Sequence, residues 1–224
     1  MLILFDIDGT LLSSEGVGVR SIEEAGEAMF GKPFSLDGIP IGGRLDPLIW
    51  NDACVKHGIE HPETQHDEFR TTYSEILASN LQSVAVSTFP GVLELLEACR
   101  SLEHTTCGIV TGNYEETGRM KLEAAGIDTE MFTANAWGTD GVIRDDLPPV
   151  AMDQCASCEP TFLIGDTIHD VTSGKQAGCH VIAVCTGSHD RDTLDSVNPD
   201  LLLDDLADTE SILHWMLNIH NPSP

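Results

Sequence analysis

The chain opens on a fully apolar run, Leu2-Ile3-Leu4-Phe5, that stops at Asp6-Ile7-Asp8-Gly9-Thr10. Four more short apolar runs follow, at 106–111, 160–166, 181–185 and 200–203. Apolar runs of this length, bounded by turn residues, suit strands buried on both faces of a parallel sheet. Between and after them lie patterns of helical period at 115–125, closed by Gly126, at 169–177, closed by Gly178, and at 209–217. Glycine just past a helix supplies the left-handed C′ position. Alternation of this kind predicts an α/β fold, a Rossmann-like parallel sheet with helices on both faces.

Residues 15–82 break the alternation. They hold no convincing strand but three helical stretches, near 19–30, 46–57 and 64–80, joined by loops rich in Gly, Pro and Asp. This predicts an inserted all-α cap domain over 15–82, with a core domain built from 1–14 and 83–224. Phe89-Pro90-Gly91-Val92 restarts the core, with proline at a helix start.

Chemistry gathers where the strands stop. Side chains alternate along a strand, so Asp6 and Asp8 are expected on one face at its end. Two carboxylates held together repel unless a cation sits between them or one keeps its proton. Thr111-Gly112-Asn113 ends a second strand, and Gly165-Asp166-Thr167 with Asp170 ends another. Each segment alone reads as a turn or a helix cap. Ligands of open parallel sheets bind outside the carboxyl ends of the strands. Together the segments offer carboxylates, a hydroxyl and glycine turns around one pocket, a donor set that suits a hard divalent cation.

Composition narrows the partners. Eleven Lys and Arg against 37 Asp and Glu give a net charge of −26, which repels nucleic acid and anionic membranes. A small-molecule substrate is expected, with the protein a monomer or homodimer. Met1 leads straight into a strand pattern without a basic leader, and no apolar run has spanning length, so a cytoplasmic protein is expected. The seven cysteines are scattered, several inside apolar runs, and read as reduced core thiols. Cys155-Ala-Ser-Cys158 is a lone CxxC with no second pair or histidine at zinc spacing.

Three segments, Phe5-Asp6-Ile7-Asp8-Gly9-Thr10-Leu11, Val110-Thr111-Gly112-Asn113 and Ile164-Gly165-Asp166-Thr167-Ile168-His169-Asp170, resemble the first, second and fourth motifs of the haloacid dehalogenase-like hydrolases, most closely the phosphoglycolate-phosphatase-like branch with a helical cap. The resemblance implies that Asp6 attacks phosphorus and forms an aspartyl phosphate, while Asp8 serves as acid and then base. It implies magnesium held by Asp6, the Asp8 main-chain carbonyl and Asp166, with Asp170 acting through water or neighbouring bonds. Gly9, Thr10, Thr111, Gly112 and Asn113 would surround the phosphate.

The third motif departs from the family pattern, which usually has lysine there. The matching segment is Arg144-Asp145-Asp146-Leu147-Pro148-Pro149, so Arg144 is the candidate cation. Arginine keeps the charge and can bridge carboxylate and phosphate with its planar fork, but its reach differs from that of lysine. The rival, Lys121, lies three helical turns from the strand end and is expected to be a solvated surface residue. In the cap, Ile41-Gly42-Gly43-Arg44-Leu45-Asp46 resembles a loop that closes over substrate. Gly43 and Arg44 would then contact the substrate, unless Arg44 only pairs with Asp46.

The resemblance implies a magnesium-dependent phosphatase acting on a small phosphorylated metabolite, phosphoglycolate-like. The alternatives are a phosphomutase or a catalytically silent metal-binding regulatory module, the latter favoured by the altered third motif. Asp8 points away from dehalogenation, which needs no leaving-group proton.

Overall fold

The structure, a computed structural model, describes residues 1–155 and 157–220. Five strands form one parallel sheet: β1 (Leu2–Phe5), β4 (Thr106–Ile109), β5 (Thr161–Gly165), β6 (His180–Val184) and β7 (Leu201–Leu203), in spatial order β4-β1-β5-β6-β7. Chain order places β4 on one side of β1 and β5 to β7 on the other, so the topology switches direction at β1. A crevice opens at such a point, next to the carboxyl end of the strand. The α/β fold with a parallel sheet is as the sequence pattern predicts.

The alternation within each strand explains the two-sided packing. Ile3 and Phe5 join Phe162, Ile164, Ile182 and Val184 on one face, under α4 (Val92–Ser101) and α9 (Thr209–His220). Leu2 and Leu4 join Leu163, Val181 and Ala183 on the other, against α6 (Leu147–Asp153) and α7 (Ile168–Gln176). The outer edge of β4 is not bare. Thr133 and Ala136 donate their N–H groups to Cys107 and Ile109 carbonyls, at 2.9 and 2.7 Å, which protects the exposed edge.

Residues 17–80 carry α1 (Val17–Phe30), α2 (Asp46–Lys56) and α3 (Pro62–Asn80), all helical as the periodicity predicts. Their apolar faces meet in a separate cluster containing Trp50, Phe69, Tyr73 and Leu77. Tyr114, at the start of α5 (Glu115–Ala124), reaches into that cluster and bonds His66 at 2.7 Å. A short antiparallel pair, β2 (Leu12–Ser13) with β3 (Ser87–Thr88), joins the two chain crossings between the helices and the sheet. The sequence pattern missed this pair because two-residue strands carry no periodicity, and likewise the short α6 and α8 (Arg191–Asp195).

Two expectations need correction. β1 ends at Phe5, so Asp6 and Asp8 belong to the loop that leaves the strand, although Ile7 between them is fully buried. Cys155 and Cys158 form a disulfide with Cα atoms 5.4 Å apart, in the turn that follows α6, where a three-residue separation brings them together. Cys54, Cys99, Cys107 and Cys179 are free and buried, as expected for core thiols. Among the described residues, no helix is long and apolar enough to cross a membrane.

Candidate active site

A cavity of roughly 400 Å³ lies over the carboxyl ends of β1, β4 and β5, roofed by residues of α1, α2 and α3. Asp6 stands at its base, almost fully buried. Its Oδ1 accepts a hydrogen bond from Arg144 Nη2 at 3.0 Å. The same Arg144 nitrogen donates to Asp170 Oδ1 at 2.5 Å and to the Val110 carbonyl at 3.1 Å. Arg144 thus fills the gap between the first and fourth motifs, with its side chain only 6% exposed. All three bonds leave from one terminal nitrogen, as they would from a lysine ammonium, while the buried Nε has no hydrogen-bond partner.

Asp170 is held on both oxygens. Its Oδ2 accepts Thr167 N–H at 3.0 Å and Thr167 Oγ1–H at 2.6 Å, while Asp170 N–H bonds back to Thr167 Oγ1. This reciprocal cap opens α7 and holds Asp170 fixed and buried. Asp166 accepts from Ser188 N–H at 2.8 Å, from Ser188 Oγ at 3.3 Å and from Thr10 Oγ1 at 3.4 Å. Thr10 is fully buried, so its side chain orients Asp166 and does not face the cavity.

Asp6, Asp166 and Asp170 bring carboxylate oxygens within 4.8 Å of one another. The electrostatics record the crowding. Asp6 is pushed up to about 6, first by burial and then by its acidic neighbours, against the pull of Arg144. Asp166 is pushed up to about 8 by burial, Asp170 and Asp6. One guanidinium does not compensate three buried carboxylates. The all-oxygen donor set and this surplus negative charge fit a hard divalent cation.

Asp8 points elsewhere. Its Oδ2 accepts Lys121 Nζ at 2.6 Å and Asn113 Nδ2 at 2.9 Å, and its Oδ1 accepts Ser14 Oγ at 3.4 Å. Burial alone would raise its pKa, but the Lys121 ammonium and these hydrogen bonds hold it below the usual carboxylate value. The Asp8 carboxylate is therefore outside the three-carboxylate cluster. Asn113 is used on both ends: Oδ1 accepts Lys121 Nζ at 2.6 Å, and Nδ2 also donates to Thr111 Oγ1 at 2.9 Å. Because Thr111 Oγ1 is an acceptor there, its own proton is free to donate into the cavity.

Lys121 is the main residue that the sequence reading misplaced. It is 4% exposed and lines the cavity, not the surface. Helical side chains tilt toward the N-terminus, so a long lysine stem on α5 reaches back to the strand end. A signal was present: Thr117 and Gly118, at the i−4 and i−3 positions, share its buried face and are small.

Residues of the segment 15–82 also differ from expectation. Arg44 pairs with Asp52, eight residues on, at 2.5 Å, and not with Asp46. Asp46 instead faces the core. Its Oδ2 accepts Tyr114 N–H at 3.1 Å, its own N–H bonds the Gly112 carbonyl at 2.7 Å, and burial pushes its pKa up to about 7. Gly112 allows this approach, since a Cβ there would collide with the Arg44 carbonyl. Gly9 takes φ +83° beneath Asp166, and the Gly9 carbonyl accepts Thr186 Oγ1 at 2.6 Å. Thr186 and Ser188, beyond β6, were not foreseen; small hydroxyl residues just after a strand are their only mark in the sequence.

Fold and site together define a hydrolase of a known class. The chain matches the haloacid dehalogenase-like hydrolase family over residues 3–184 and belongs to it. Among curated relatives it is 29% identical over 214 residues to pyrophosphatase PpaX of Oceanobacillus iheyensis, covering 94% of this chain and 95% of that one. It is 25% identical to probable phosphatase IndB of Dickeya dadantii, covering 97% and 95%. Among solved structures, a predicted phosphoglycolate phosphatase from Haemophilus somnus superposes with TM-score 0.70 at 24% identity, covering 95% of this chain and 97% of that one. A putative β-phosphoglucomutase from Thermotoga maritima shares the fold with TM-score 0.64 at 16% identity, covering 96% and 98%. The chain is therefore an enzyme of the hydrolase class, with phosphatases and pyrophosphatases among its named relatives.

Proposed function

We propose that this enzyme is a magnesium-dependent phosphatase that hydrolyses a small organic phosphate monoester through an aspartyl phosphate on Asp6. The observation that carries the reading is the arrangement at the cavity base. A nucleophile-ready carboxylate has one oxygen bonded to Arg144, beside a buried acidic cluster and a second carboxylate, Asp8, on separate partners.

Asp6 Oδ2, the oxygen not engaged by Arg144, attacks phosphorus as the bond to the leaving oxygen breaks. Protonated Asp8 gives its proton to that oxygen, then as a carboxylate takes one from the water that cleaves the aspartyl phosphate and restores Asp6. The Lys121 ammonium favours the carboxylate form, and the arriving phosphate dianion opposes it, so the two together poise Asp8 between its roles. Thr111 Oγ1–H and Arg144 hold the phosphoryl oxygens. Asp6 and Asp166 would hold magnesium, with Asp170, already bonded on both oxygens, supporting them. When bound, the ion supplies charge that offsets repulsion between Asp6 and the phosphate. The helices at 15–82 act as a cap that closes over the sheet edge and excludes water.

Phosphate release from phenyl phosphate, measured with magnesium, with EDTA and in Asp6→Asn, tests this reading. Turnover is expected only for the unaltered enzyme with magnesium. Activity that survives EDTA or Asp6→Asn rejects both the metal and the nucleophile.

A further inference from the structure

The loop that follows β4 carries Thr111 and Asn113, and one residue of the helical segment 15–82 grips its backbone twice. Asp46, at the start of α2, donates its N–H to the Gly112 carbonyl at 2.7 Å and accepts the Tyr114 N–H on Oδ2 at 3.1 Å. The two bonds clamp the backbone on either side of Asn113. Asn113 in turn joins the polar groups beside the cavity: Oδ1 accepts Lys121 Nζ, and Nδ2 reaches both Asp8 and Thr111. The contact between the two parts is close. A Cβ on Gly112 would collide with the Arg44 carbonyl, and Leu45 is buried in the apolar cluster of the sheet with Leu4 and Val110.

Resting on the phosphatase reading above, we infer that Asp46 is a positioning residue for the acid–base carboxylate. It acts through the backbone at 112–114 and through Asn113, so that Asp8 and Lys121 take their working geometry while the helical segment is docked on the sheet. Among the described residues, Tyr114 N–H has no acceptor besides Asp46. Both residues are buried. Without the carboxylate that N–H would be left unsatisfied away from water, and the loop would have to shift to satisfy it. Reaction geometry tolerates little movement, since a displacement of about 1 Å can cost about 10²-fold in rate. The loss belongs in kcat, because the groups that Asp46 positions act on the proton of the leaving oxygen as the bond breaks.

Asp46→Asn keeps a carbonyl oxygen able to accept the Tyr114 N–H, whereas Asp46→Ala removes it. On phenyl phosphate with magnesium, Asp46→Ala is expected to lower kcat by about 10- to 100-fold with KM moved by less than about 3-fold, and Asp46→Asn to recover most of the loss. Added to Asn113→Ala, the alanine change is expected to cost less than about 3-fold more, because Asp46 acts through Asn113. Hydrogen–deuterium exchange in a peptide covering 111–114 is expected to rise in Asp46→Ala and not in Asp46→Asn. If the alanine variant does not fold, Asp46→Ser, too short to reach the Tyr114 N–H, replaces it. Unchanged kcat, equal losses in the alanine and asparagine variants, full additivity with Asn113→Ala or unchanged exchange overturns the inference. A loss confined to KM also overturns it, marking Asp46 as a substrate contact. No turnover by the unaltered enzyme rejects instead the phosphatase reading, and the exchange measurement then decides whether Asp46 holds the loop.

Discussion

Replacing Lys121 with methionine removes the ammonium beside Asp8 but keeps an unbranched chain of similar volume on α5. Nζ lies 2.6 Å from Asp8 Oδ2, with the lysine side chain 6% exposed and the aspartate 40% exposed. At that distance Coulomb's law gives about 6 kcal/mol for an effective dielectric of 20 and about 1.6 kcal/mol in water. Because Asp8 faces the cavity, screening sets the effective value near the lower end, about 2–3 kcal/mol. Lys121→Met should therefore lift Asp8 from below the ordinary carboxylate range to above it. The assay is the pH dependence of kcat/KM on phenyl phosphate with magnesium. The limb that reports Asp8 should move up, and kcat/KM at neutral pH should fall by about 10²-fold. Adding Lys121→Met to Asp8→Asn should cost little more, since the pair acts as a unit. Stability carries the same sign: a depressed folded pKa stabilises above the unfolded value and is lost as pH falls through the folded one. The variant should thus lose stability at neutral pH and converge on the unaltered protein in acid. Superimposable pH profiles would sink the charge argument and leave Lys121 as a space-filling residue.

Two further outcomes follow from the same geometry. Arg144→Ala leaves Asp170 buried without its Oδ1 partner, so about 3–5 kcal/mol of stability should be lost in thermal unfolding and kcat should drop by about 10²-fold; Arg144→Lys should recover much of the stability but little of the kcat, and full activity in the lysine variant would show that one donor suffices. The raised pKa values of Asp6, about 6, and Asp166, about 8, mean that without metal the folded chain binds more protons than the unfolded one between about pH 4 and 8, so its stability falls as pH rises through that window. Magnesium must displace those protons, so its stabilising shift in Tm should grow from pH 5.5 to 8, by up to about 1.4 kcal/mol per pH unit for each proton released. A magnesium shift independent of pH would contradict the cluster assignment.

The strand and helix pattern, the carboxylates at two strand ends and Arg144 as a candidate cation beside them could all be read from the linear chain. Each is written locally, in period 2, in period 3.6 or in a short motif whose residues are neighbours. Arg144 meets Asp6 across 138 positions, yet its place was readable because the motifs occur in a known order along the chain. Lys121 was not readable in the same way. The small residues Thr117 and Gly118 on its face are a weak signal, and only the packing of α5 under the helical insert converts a surface-looking lysine into a buried partner of Asp8.

The same division holds for the helical segment 15–82. Its helices are determined by local periodicity, and its loop glycines mark where the chain must bend. Whether Arg44 reaches a substrate or Asp52, and whether Asp46 binds Arg44 or the Tyr114 N–H, depends on which groups lie within a few ångströms once both parts are folded. Ion pairing falls off over that distance and ignores separation in the chain. Sequence by itself determined which residues carry charge and which elements present them. Tertiary structure decided which charges are spent on one another, and therefore which are left for a ligand.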